Sequence, residues 1–150
     1  MIISIKRKFL NQLYTEGRLL VNDYQQTFTV EATEVMLPPG QYQVRLTKDK
    51  ARRRVIGILK PSGTMKPTET FTPTGWSIGI GHSWIGSRKH HVIAIGQPLI
   101  PGSVYKATEI YERLFDRIEK CEQRGEPITL VIDESQCVEN KPIKHWTTAY

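Results

Sequence analysis

One stretch of this chain, and no other as clearly, repeats its apolar residues at a helical period. Ala107, Ile110, Tyr111, Leu114, Phe115, Ile118 and Cys121 fall on one face. Glu109, Glu112, Arg113, Asp116, Arg117, Glu119 and Lys120 take the solvent side. Ser103 is the expected N-cap and Gly125 the expected stop, which places the helix near 104–124. Almost everything before it reads as short strands. A run of strands closed by one late amphipathic helix restricts the chain to an α+β class: a mostly antiparallel, curved or barrel-like sheet of about eight short strands, with the helix covering one opening or face.

The strands follow from alternation. Ile3 and Ile5 alternate with Ser4 and Lys6. Gly17-Arg18-Leu19-Leu20-Val21 is followed by the turn signal Asn22-Asp23, and Phe28 and Val30 then alternate with Thr27, Thr29 and Glu31, as in a hairpin. Leu37-Pro38-Pro39-Gly40 is a second turn. Tyr42, Val44 and Leu46 alternate with Gln41, Gln43 and Arg45 in the clearest strand, and residues 54–59 are apolar enough to be buried on both faces. Residues 60–75, rich in proline and threonine, read as a long loop or extended edge. Trp76, Ile78, Ile80 and His82 then share one strand face. Ser77, Gly79, Gly81 and Ser83 share the other, and such small residues imply close approach by a backbone or a ligand. His91-Val92-Ile93-Ala94-Ile95 is a buried strand ended by Gly96 and Pro98, and Ile128, Leu130 and Ile132 form the last one. Residues 1–133 therefore form one β-rich domain, and 134–150 a polar tail.

Composition excludes several classes. With 150 residues, 39% hydrophobic and 24% charged, the chain is long and apolar enough for a core without staples. No apolar run approaches the roughly 20 residues of a membrane span, and the N-terminal segment lacks the pattern of a secretory signal. Cytoplasmic or virion-associated localisation is the expectation. The two cysteines, Cys121 and Cys137, are too few for a disulfide framework or a zinc site and read as free thiols; one bridge between them stays open. Net charge is +6, carried by the first hundred residues, which hold 14 basic and 6 acidic side chains. Such a field draws nucleic acid, anionic lipid or an acidic protein.

Few residues offer chemistry. His82, His90 and His91 lie near one another, but His90 and His91 point to opposite faces of a strand, and no acidic residue or cysteine completes a metal set. Neither Ser83 nor Ser87 has the Gly-x-Ser-x-Gly elbow that would make it a nucleophile beside His82. No cofactor is implied. Lys50, Arg52, Arg53 and Arg54 mark a hairpin tip, and Arg88 and Lys89 a second basic tip; both suit contact with an anion or a partner. Without interleaved exposed aromatics, these loops favour a protein partner or self-assembly over nucleic acid.

The order of features carries a resemblance. Leu37-Pro38-Pro39-Gly40-Gln41-Tyr42-Gln43-Val44, then Ile80-Gly81-His82, then Val92-Ile93-Ala94-Ile95-Gly96, then the helix and last strand resemble an uncharacterised domain family frequent in phages and prophage-bearing bacteria. Its members read T-x-I-P-x-G-x-Y-x-V, later I-H-x-G-N, then D-T-x-G-C-I-L-V-G. That His…Gly-Cys arrangement is similar to the core of L,D-transpeptidases, which act on peptidoglycan through a cysteine. The resemblance covers roughly residues 1–133. It places His82 at the family histidine, but His91-Val92 stands at Gly-Cys and Arg88-Lys89 at Asp-Thr. Valine offers no nucleophile. The resemblance thus implies a scaffold that has lost its chemistry, with His82, Ser83, His91 and Val92 as the vestigial site, acting as a structural or interaction module of a phage particle or phage-derived machine. The alternative is a cell-wall enzyme that uses His82 with another residue, so peptidoglycan remains a second candidate partner.

Overall fold

The computed structural model describes residues 1–61 and 71–139. Ten strands and two helices run β1 (Ile2–Leu10), β2 (Tyr14–Val21), β3 (Tyr24–Ala32), β4 (Gly40–Lys48), β5 (Arg54–Pro61), β6 (Phe71–Gly79), α1 (Trp84–His90), β7 (Val92–Pro98), β8 (Val104–Tyr105), α2 (Ala107–Gln123), β9 (Thr129–Asp133) and β10 (Val138–Glu139). Eight of the strands close into a barrel in the order β1-β2-β3-β7-β6-β5-β4-β9, and β9 returns to β1. The two extra strands are β8, paired with β7, and β10, which continues beside β1 where β9 leaves it.

The sheet is mixed. β1–β9 and β6–β7 are parallel, and the other seams of the barrel are antiparallel. A parallel neighbour needs a crossover. For β6 and β7 that crossover is α1, where the sequence suggested only a connection with a basic tip. The expectation of one helix fails here because α1 has seven residues, too few to show a helical period. Ser83 caps its start and accepts from the Gly86 N–H at 3.5 Å.

Period two sorts the side chains. Ile3, Ile5, Leu19, Val21, Val44, Ile56, Ile58, Trp76, Ile78, Ile93, Ile95, Leu130 and Ile132 form one buried cluster inside the barrel. Eight-stranded barrels are filled by side chains in this way, not open as pores. α2 closes the mouth at which β1 begins, and adds Ile110, Leu114, Ile118 and Cys121 to the same cluster. Phe115 and Tyr111 are only half-buried at its edge. The expected N-cap is wrong: α2 starts at Ala107 after Lys106, whose left-handed backbone (φ 52°) carries no side-chain cap, and Ser103 instead bridges to Ser83. The expected stop at Gly125 is found. Its φ is 71°, its N–H donates to the Glu122 carbonyl and the Glu126 N–H to that of Cys121, the Schellman pattern.

A second, smaller core lies on the outer wall. Tyr14, Val30 and Ala94 face outward and are covered by Val104 and Trp84. Gly96 makes this possible: with φ 154°, it brings its Cα so close to the returning strand that a Cβ would lie 2.7 Å from the Tyr105 carbonyl. The β7–β8 hairpin thereby folds over β2, where the Gly102 N–H donates to the Glu16 carboxylate at 3.2 Å. Among the described residues no helix is long and apolar enough to cross a membrane.

Candidate functional site

β6 ends at Gly79, so Ile80 and His82 do not continue its face as the alternation suggested. The small face on the other side has a clear purpose. Val92 lies at 5% exposure with its methyls against Gly79 and Gly81, where added Cβ atoms would come within 3.3 and 2.8 Å. A Cβ on Gly86 would overlap the Gly81 carbonyl, so the approaching backbone is that of α1. Residue 92 therefore sits in a closed apolar contact.

His82 is exposed and left-handed (φ 64°), and its carbonyl accepts from the Val104 N–H at 2.8 Å. His91 also has positive φ (51°) and terminates α1. It is not the first residue of β7, as the sequence suggested, because the helix ends there. Its ring stacks on Trp76 at 5.2 Å between centroids. The two histidines thus bracket the seven residues of α1, which rise about 10 Å at 1.5 Å per residue. That separation is too long for an acid–base pair acting on one atom. The Ser83 oxygen faces the helix start as a cap. Ser83 is thus used as the cap of α1, and His91 as its stop, stacked on Trp76.

The basic residues also divide. The β4–β5 tip with Lys50, Arg52 and Arg53 lies at the mouth closed by α2. Arg88 and Lys89 end α1 near the start of β7, at the opposite mouth. Arg54 is engaged by the fold: it bonds Glu119 at 2.6 Å and lies 5.4 Å from the Phe115 ring centroid. Arg53 pairs with Asp49 at 3.3 Å and Arg88 with Glu34 at 3.4 Å, both largely exposed pairs of small energetic value. Lys50, Arg52 and Lys89 remain as exposed cations. Arg88, Lys89 and His90 also suit the negative end of α1.

Cys121 is buried on α2, and Cys137 is half-buried with its thiol pushed up by burial and by Glu134. Both are free, and the surroundings of Cys137 work against a thiolate there. Among the described residues no group of three His, Cys, Asp or Glu side chains could hold a metal.

The most concentrated chemistry lies inside the barrel, where the polar side of β3 (Thr27, Thr29 and Glu31) faces inward and Val30 outward. Arg7 is wholly buried and donates to both oxygens of Glu31, to Glu134 at 2.7 Å and to the Leu37 carbonyl at 2.7 Å. Burial works against its charge, but the bonds to Glu31 and Glu134 outweigh that cost and raise its pKa. The signal was present: once Ile3 and Ile5 face inward, period two sends Arg7 inward as well. Glu134 lies in the segment read as a tail, and β10 follows it on β1.

Comparison with protein-family models, with curated proteins and with solved structures finds no match to this chain.

Proposed function

We propose that this chain is a non-enzymatic scaffold of transpeptidase-like plan that works by docking another protein, as a structural or interaction module of a phage particle or phage-derived machine. The observation that carries the docking role is the exposure of large apolar side chains at the start of α1 and in the β7–β8 turn. Ile85, Leu99 and Ile100 are 60, 60 and 62% exposed. The rung between the Trp84 N–H and the Gly102 carbonyl (3.0 Å) fixes the start of α1 beside the β7–β8 turn and brings these residues to one region. Neighbouring segments that both expose large apolar side chains to water are the kind of surface that marks contact sites. The buried Val92 supports the absence of a nucleophile at the vestigial site.

The test is crosslinking of the natively expressed protein, mapped by mass spectrometry. The proposal expects a protein crosslinked near residues 85 and 99–100, lost in the Leu99→Asp/Ile100→Asp variant at unchanged melting temperature. Turnover of peptidoglycan fragments that disappears in His82→Ala would overturn it and favour the enzyme.

A further inference from the structure

We propose that the cavity between the C-terminal half of α2 and the β2–β3 turn binds a small phosphate monoester, with Arg117, Lys120 and Arg124 as its anion ligands. This site is distinct from the docking surface above. The cavity has a volume of about 260 Å³ and is lined by Met1, Asn22, Arg117, Lys120, Arg124 and Glu126. Three cationic side chains thus converge on it against one carboxylate. Pockets for whole drug-sized ligands start at about 300 Å³, so this one suits a phosphate with a short substituent.

The helix sorts its charges to make the site. Arg117, Lys120 and Arg124 follow one another at i, i+3 and i+7 on the same stripe. On the other flank, Glu119 bonds Arg54 and Glu122 accepts from the Leu46 N–H at 2.9 Å. The rim of β4 and β5 therefore uses the acids, and the cations are left facing Asn22 and Gln26. Like charges at these spacings repel, a cost that a bound anion would remove.

The helix end does not account for these cations. Basic residues in a last turn commonly satisfy its free carbonyls. Here the carbonyls of Lys120, Cys121 and Glu122 accept from the backbone N–H groups of Arg124, Glu126 and Gly125. The side chains are thereby left available. Lys120 pairs with Asp116 at 2.9 Å and Arg124 with Glu126 at 3.1 Å, both exposed and easily exchanged for a stronger dianion. Arg117 donates to the neutral Gln26 at 3.3 Å, and no carboxylate pairs with it among the described residues.

The test is titration of the full chain with inorganic phosphate and with glycerol 3-phosphate, followed by amide NMR shifts. Both should move the signals of Asn22, Arg117, Lys120 and Arg124 in a saturable way. Arg117→Gln/Lys120→Gln should weaken binding by about tenfold or more, because charge-assisted bonds are the strong ones. Glu126→Gln should tighten it. Arg52→Ser/Arg53→Ser removes the same formal charge from the hairpin tip and should change affinity by less than about twofold, since exposed distant charges are screened. These surface variants should fold normally. No saturation by about 10 mM phosphate overturns the proposal. So does an equal loss in the hairpin variant, which would mean a general positive field. Sedimentation with phosphatidylcholine vesicles containing phosphatidic acid, without response to the soluble probes, would assign the cavity to a lipid headgroup and overturn the soluble ligand.

Discussion

Arg7 reaches Glu31 across an intervening strand, with Nε to Oε2 at 2.9 Å and Nη2 to Oε1 at 2.7 Å, and both side chains are wholly buried. The strand between them is β2, and the residue opposite both Arg7 and Thr29 is Gly17. A residue without a Cβ opens the path along which the guanidinium crosses. Arg7→Met leaves the Glu31 carboxylate buried without this partner and should cost about 3–5 kcal/mol in urea unfolding, whereas Glu31→Gln leaves Arg7 its pair with Glu134 and should cost less. Arg7→Met/Glu31→Leu should recover much of that loss, because two apolar side chains need no counter-charge. Additive losses in the double variant would contradict this account.

Gly17 itself should resist substitution. Alanine normally improves a strand interior by about 0.5–1 kcal/mol over glycine. Here a Cβ would lie 2.6 Å from the Lys6 carbonyl and 2.9 Å from Thr29 Oγ1. The carbonyl belongs to the ladder and cannot move freely. Gly17→Ala is expected to destabilise by about 1–3 kcal/mol, the usual range for overpacking. A gain in melting temperature would show that the β1–β2 spacing is softer than described.

Substitution at Val92 gives a third check. The cations of Arg88 and Lys89 favour a thiolate when only the sequence is considered. The burial of Val92 against Gly79 and Gly81 reverses that expectation, because a thiol there is screened from water and reagent. Val92→Cys should react with iodoacetamide only as fast as the protein opens. Labelling at the rate of an exposed cysteine would disprove the closed contact.

Acid should weaken the fold through specific carboxylates. Asp133 is held below its ordinary value of 3.8 by the Ser135 N–H, and Asp49 below 3.8 by the Arg53 N–H. As pH falls toward 3.8, the unfolded chain takes up protons at these two sites before the folded chain does. Their contribution is therefore present above 3.8 and lost as pH falls through the lower folded values. Asparagine keeps an acceptor for each N–H but does not titrate. Asp49→Asn/Asp133→Asn should flatten the fall of the urea midpoint below pH 4 relative to the parent chain. An unchanged slope would place the acid sensitivity in other groups.

The parts of this fold legible in the sequence were those governed by strong periods. The alternation of Ile3 with Ile5 and of Tyr42 with Val44 and Leu46 marks real strands, and the stripe from Ile110 to Cys121 marks the helix that fills the barrel mouth. The short helix α1 escaped because its outer face reads as a basic loop and its inner face is Gly86 and Ser87. Ser87 is fully buried and accepts from the Ala32 N–H through its hydroxyl at 3.2 Å, a contact that no local pattern announces. The parallel seams were illegible for a related reason: strand direction depends on which partners meet, not on the composition of either strand. At the candidate site, the small face at Gly79 and Gly81 correctly signalled close approach. The same residues suit a ligand or a helix, and here the occupants are Val92 and α1.

The seam between β1 and β9 sets an order of events during synthesis. Ile3 pairs with Leu130 and Ile5 with Ile132, so the first strand made waits for almost the last. Chains are made at about 5–20 residues per second, which leaves several seconds during which the β1 edge has no native neighbour on that side. β4 waits as well, since its second neighbour is also β9. Two unpaired edges on one nascent chain are the feature that neighbouring ribosomes can join together. Lys6 and Lys8 on β1, with Arg45 and Lys48 on β4, place charge along both edges in that interval. A barrel sealed by so late a strand therefore draws on the same basic residues twice, first as guards of the growing chain and afterwards as its outer surface.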